Sequence, residues 1–172
     1  KPIPCIQLLH CLENEVKEGL STLVDGFAVA EYLRKNHQYI FKILTKTKVR
    51  FRFVDKTIIL ENWGELIELD ENNNVKQVRY STRLDYVPAL EKKELKLFYE
   101  ARKLIANLYA SSKFEIRFKL DKGDLLMMDN HRLLHGRTSY DTNEGNRFLQ
   151  GCYIDYDSTE GKLRHLKRKF NL

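Results

Sequence analysis

"GDLLMMDNHRLLHGRTSYDTNEGNRFLQGCYIDYD", residues 123–157, holds the features on which the reading of this chain turns. The apolar run 125–128 follows the turn "DKG" and reads as a buried strand within 124–130. Two histidines come next, His131 and His135, and Arg147 opens a second strand pattern over 147–155. On a helix, four-residue spacing would put both imidazoles on one face. The zinc-protease version of that pattern needs a glutamate directly after the first histidine, and Arg132 stands there. A preceding strand and the following Gly136 also argue against a helix. On the residues alone two readings stay open: metal and anion ligands, or a polar loop after a buried strand.

Outward from this stretch, the pattern divides into strands and helices. "CIQLLHCL" (5–12) is a short apolar run, and "STLVDGF" (21–27) reads as a strand ending at Gly26. Residues 28–44 suggest one or two helices broken near Asn36 and His37. Residues 49–60 alternate as a strand, and 65–80 form a hairpin pattern turning at 70–74. After Pro88 the apolar residues Leu97, Ala101, Leu104, Ile105 and Leu108 recur on one helical face through Tyr109. Residues 113–120 alternate again, and a terminal helix follows the last strand. Strands at both ends with helices between them predict a mainly β, α+β fold, a sandwich or barrel carrying a helical insert, in a single domain spanning 1–172.

Composition narrows the function classes. With 42% hydrophobic and 31% charged residues over 172 positions, the chain is long and apolar enough to bury a core. The net charge is +6, and Lys162, Arg164, Lys167, Arg168 and Lys169 cluster near the end. Leu163, Leu166 and Phe170 interleave with them at helical spacing, so the cluster reads as the solvated face of a helix and no nucleic-acid partner is expected. The three cysteines, Cys5, Cys11 and Cys152, form no close pairs, which fits a reducing compartment. No apolar stretch approaches a membrane span and no signal peptide is visible. A cytoplasmic protein is therefore expected, without a membrane partner.

The string "DNHRLLHGR", with "NRFLQGCYIDYD" behind it and "IQLLHCL" and "STLVDGFAVAEYL" ahead in order, resembles the taurine dioxygenase-like Fe(II)/2-oxoglutarate oxygenases. The likeness is greatest to the γ-butyrobetaine and trimethyllysine dioxygenase group, spans nearly the whole chain and is weakest at 45–90. It implies a double-stranded β-helix, or jelly roll, holding Fe(II) with two histidines and one carboxylate. It implies His135 as the distal metal ligand and Arg147 as the anchor for the far carboxylate of 2-oxoglutarate. A planar guanidinium suits that task because it can hold a carboxylate through two parallel charge-assisted hydrogen bonds. Ser21 matches a hydroxyl position that helps hold the oxoacid. Tyr153 matches a ring of an aromatic cage for a trimethylammonium group, which offers no hydrogen-bond donor and is selected by cation–π contact. Family members often carry two asparagines after "RY" in the central region; here Ser81 and Thr82 follow Tyr80, which leaves Thr82 as a substrate-side candidate and the substrate in question. His10 and His131 read as structural.

The implied activity is hydroxylation of a quaternary ammonium compound, γ-butyrobetaine to carnitine, with trimethyllysine as the alternative substrate and a mitochondrial location in that case. Ascorbate is a supporting reductant in such enzymes, and a homodimer is compatible with the resemblance. The first part of the metal triad, a His-x-Asp/Glu motif, is missing: none of His10, His37, His131, His135 and His165 has an acidic residue two positions later. The chain starts at Lys1, without methionine, and enters a core strand at once. It is expected to be the C-terminal portion of one oxygenase domain, incomplete on its N-terminal side and inactive alone. The competing reading is a non-catalytic binding domain that has lost its iron site.

Overall fold

A computed structural model describes residues 5–172. In chain order the elements are β1 (Ile6–Asn14), β2 (Ser21–Asp25), α1 (Gly26–Asn36), α2 (Gln38–Leu44), β3 (Lys48–Val54), β4 (Ile59–Glu65), β5 (Ile67–Leu69), β6 (Val75–Val78) and β7 (Asp85–Tyr86). They continue with α3 (Lys92–Tyr109), β8 (Glu115–Phe118), β9 (Leu125–Asp129), β10 (Leu133–Arg137), β11 (Arg147–Ile154) and α4 (Tyr156–Phe170). Helix and strand contribute comparable lengths, so the fold is mixed α/β rather than mainly β. The strands form small sheets, ordered β11-β1-β9, β10-β2-β8, β4-β3-β7 and β5-β6. The chain packs as two compact units.

The first unit comprises Thr22–Arg117 and Arg132–Gly136. Its core is built from the inner faces of the helices. Val29, Ala30 and Leu33 of α1 and Phe98, Ala101 and Ile105 of α3 are all essentially inaccessible, as the i, i+3, i+4 and i+7 spacings require. The string "LVDGF" is a strand-to-helix joint. Asp25 caps α1 by accepting hydrogen bonds from the backbone N–H groups of Phe27 (3.0 Å) and Ala28 (3.3 Å). Gly26 is the first helical residue, not the end of the strand. Its backbone N–H donates to the Arg132 carbonyl at 3.0 Å. A Cβ there would collide with Val78 and approach the Arg132 carbonyl oxygen to 2.9 Å, so close approach is what demands glycine. Two Asp-initiated turns set hairpins. Asp55 Oδ1 accepts from Thr57 and Ile58 and joins β3 to β4, in antiparallel register from Lys48↔Glu65 to Val54↔Ile59. Asp70 Oδ1 accepts from Asn72 and Asn74 and joins β5 to β6. The pattern at 49–60 thus belongs to a strand, a turn and the start of a second strand.

The second unit comprises residues 5–21, Phe118–His131 and Arg137–Leu172. β1 lies between β11 and β9, antiparallel to both, with Asn14 opposite Arg147 and Gln7 opposite both Tyr153 and Met128. Only Met128 of β9 is buried, while Leu125 and Met127 are 58% and 66% exposed. The expectation of a fully buried strand here fails because a run of apolar residues looks the same whether one face or both are covered. Tyr156, the first residue of α4, donates a hydrogen bond from its hydroxyl to Asp129, and its ring meets His131 edge-on at 5.1 Å. No residue of α4 is buried, and among the described residues no helix is long and apolar enough to cross a membrane.

Candidate functional site

The sheet β10-β2-β8 and the C-terminal end of α3 enclose a cavity of about 300 Å³ in the first unit. Thr22 and Val24 of β2, Ala106 and Tyr109 of α3, Leu134 and His135 of β10, and Tyr80 line it. Alternation along β2 sends Thr22 and Val24, rather than Ser21, toward this space. His135 sits on a strand, which the sequence pattern did not assign. The residue is open to solvent at the cavity rim, while the surrounding protein desolvates its ring and pushes its pKa below the ordinary histidine value. The neutral form, with a free nitrogen lone pair, is therefore favoured, as a metal ligand requires.

Two tyrosines that line the same cavity escaped the sequence reading. Tyr80 and Tyr109 meet edge-on at 5.3 Å. The Tyr109 hydroxyl is buried and has no hydrogen-bond partner, and burial, with Tyr80 next to it, raises its pKa and keeps it protonated. An unmatched donor lining a cavity is available to an acceptor on a ligand. Arg102 sits over Tyr80 at 6.0 Å and holds Asp85 at 2.6 and 2.7 Å, fixing β7 and Tyr80 against α3. Burial nevertheless raises the Asp85 carboxyl pKa more than Arg102 and the hydrogen bonds lower it. The sole sequence-level signal for Tyr109 was a hydroxyl-bearing residue closing an apolar helical face. Thr82 lies in the exposed turn after Tyr80 and is not among the lining residues.

The other predicted residues belong to the second unit. Arg147 begins β11 opposite Asn14. Its buried Nε has no hydrogen-bond partner, and among the described residues it makes no ion pair. Its guanidinium lies 5.7 Å from the Tyr140 ring. A buried guanidinium Nε–H without a protein acceptor is a donor available to an anion. Ser21 is buried at the start of β2, and Tyr153 is 58% exposed on β11.

A three-ligand metal centre does not fit these residues alone. No group of three His, Cys, Asp or Glu able to hold a metal ion exists among the described residues. His135 supplies one donor of suitable protonation, and the set is not completed.

The sequence model for the taurine catabolism dioxygenase TauD, TfdA family matches residues 1–153. The chain belongs to this dioxygenase family. Within it, the chain is 34% identical over 171 residues to human γ-butyrobetaine dioxygenase, covering 96% of this chain and 44% of the relative. It is 29% identical over 178 residues to mitochondrial trimethyllysine dioxygenase from Bos taurus, covering 95% and 40%. The chain thus spans less than half the length of these relatives. The structure of the non-heme iron oxygenase OrfP in complex with Fe and alpha-ketoglutaric acid superposes with a TM-score of 0.63 at 17% identity, covering 94% of this chain and 48% of that one. The family's fold is therefore shared, and the resemblance read from "DNHRLLHGR" and its flanks is correct at family level.

Proposed function

We propose that this chain is the C-terminal portion of an Fe(II)- and 2-oxoglutarate-dependent dioxygenase built on a jelly roll. Its preferred substrate is a trimethylammonium compound, γ-butyrobetaine before trimethyllysine. Arg147 carries the reading. It is half-buried, its buried Nε has no hydrogen-bond partner, and it follows His135 by twelve residues, the place at which the family resemblance sets an oxoacid anchor. The two kinds of relative support the pair of substrates, and the departure at Ser81 and Thr82 leaves the choice to experiment.

Each residue's task follows from its own chemistry. Arg147 binds and orients the far carboxylate of 2-oxoglutarate through two charge-assisted hydrogen bonds. His135, kept neutral, would hold iron through one nitrogen, and the described residues do not complete the ligand set. Iron supplies the oxidising chemistry when bound. Ser21 gives a hydroxyl to the oxoacid, and Tyr153 presents a ring face to the trimethylammonium group. Thr82 gives a hydroxyl near the substrate's polar end. Ascorbate would serve to keep bound iron reduced.

Succinate release by the longer protein, with γ-butyrobetaine and trimethyllysine assayed in parallel, tests the proposal. Faster release with γ-butyrobetaine is expected, and release with neither sinks the substrate reading. The 172-residue chain alone, with Fe(II) and 2-oxoglutarate added, is expected to release no succinate, because it contains no His-x-Asp/Glu sequence. The alternative, a binding domain without iron chemistry, gains support if the longer protein also lacks that motif.

A further inference from the structure

A second, larger cavity lies elsewhere in the first unit, with a volume of about 620 Å³. That is ample for a small organic ligand, whose sites run to roughly 300–1,000 Å³. Its walls come from α2, the start of β3, β4, the segment around Pro88 and the first turns of α3. Ile43, Leu97 and Trp63 give it an apolar interior. Trp63 is half exposed and Tyr39 more so, which leaves two aromatic rings uncovered in a concave space. Lys42, Lys46 and Lys48 stand on the lining against a single acid, Glu94. None of these four makes an ion pair among the described residues.

We infer that this cavity is a binding site for a small amphipathic anion, an alkyl or aryl body carrying one carboxylate-like head. The apolar interior takes the body, because burying it removes apolar surface of ligand and protein from water together. The head stays at the lysines, whose excess over Glu94 sets the sign of charge accepted. A neutral ligand of the same body loses the head's attraction, and a cationic one meets like charge. The site is separate from the His135 cavity. Leu97 and Tyr109 lie on the same helix, one in each cavity, twelve residues and hence about 18 Å apart along the axis.

Trp63 is the one tryptophan of the chain, so its emission reports on this cavity directly. Decanoate, decanol and decyltrimethylammonium, each below its micelle concentration, are titrated into the 172-residue chain while that emission is followed. Decanoate is expected to give a saturable change, weakened by added salt. Decanol is expected to bind roughly five- to tenfold less tightly, and the cation less tightly still. The double variant Lys46→Gln/Lys48→Gln should lose most of the preference for decanoate over decanol while keeping the decanol response. Leu97→Trp, which fills the interior, should abolish binding of all three probes, followed by equilibrium dialysis. No saturable change with decanoate overturns the inference. So does an equal response to all three probes, or a decanoate preference that survives both lysine changes. An emission change that follows protein concentration without ligand assigns the cavity to a second copy of the chain and also overturns it.

Discussion

Replacing Asp25 with alanine removes two interactions at the joint between β2 and α1. The first is the helix cap: Asp25 Oδ1 accepts from the Phe27 and Ala28 N–H groups, a contribution of about 1 kcal/mol. The second is the fork from Arg132, at 2.6 Å from its nearer nitrogen. Those side chains are 52% and 33% exposed, so solvent screening holds that contribution to about 0–1 kcal/mol. Asp25→Ala should therefore cost about 1–2 kcal/mol in urea unfolding at neutral pH. Asp25→Asn keeps a capping oxygen and should cost less than about 1 kcal/mol. Burial pushes the Asp25 carboxyl pKa up, but Arg132 and the two backbone donors outweigh it and hold it below its ordinary value. Because the folded pKa is depressed, the stabilisation is complete above the ordinary carboxylate pKa and is lost as pH falls through the folded one. The gap between wild type and Asp25→Ala should narrow in the same acid range. Equal costs for the alanine and asparagine variants, or a gap that widens in acid, would refute the cap as the main source of this stabilisation.

Other perturbations separate close packing from open surface. Gly26→Ala should destabilise by about 1–3 kcal/mol, since a Cβ meets Val78 and the Arg132 carbonyl. Gly161→Ala, with nothing within 4 Å of the added methyl inside α4, should instead stabilise by up to about 1 kcal/mol; urea midpoints check both. Arg102→Met leaves Asp85, whose side chain is 3% exposed, buried without its ion-pair partner, at a cost of about 3–5 kcal/mol. Restoring most of that stability with Asp85→Asn in the same chain would show the uncompensated charge to be the cause. In the longer protein Tyr109→Phe should weaken binding of an oxygen-bearing ligand to the His135 cavity without lowering stability, because the hydroxyl has no protein partner to lose. Unchanged affinity assigns that hydroxyl no role.

The elements that announced themselves did so through local chemistry. The helical stretch over 28–44 with its break at Asn36 and His37 was visible, and Asp70 with its asparagines marked a hairpin, whereas the capping role of Asp25 emerged only from the folded chain. β10 was hidden because "LLHGR" has no alternation and carries a glycine, so its pairing beside β2 is set by tertiary contacts. The same holds for the two-residue β7. Leu125 and Met127 point outward for a reason no periodicity carries, since "LLMM" fits either face. Of the candidate residues, His135 and Arg147 were legible only through family resemblance. Tyr109 was hidden because a tyrosine closing an apolar stripe looks like core. Its meaning depends on the missing partner for its hydroxyl, which is a property of the folded state.

The central claim is that Arg147 anchors a dicarboxylate co-substrate in an oxygenase to which this chain contributes. The direct measurement is the 2-oxoglutarate affinity of the longer protein against its Arg147→Ala variant, with folding checked by circular dichroism. Loss of two charge-assisted hydrogen bonds, of at least about 1.5 kcal/mol each, predicts a weakening of 100-fold or more, on the order of 3 kcal/mol. An affinity left unchanged in the folded variant would contradict the assignment of the site.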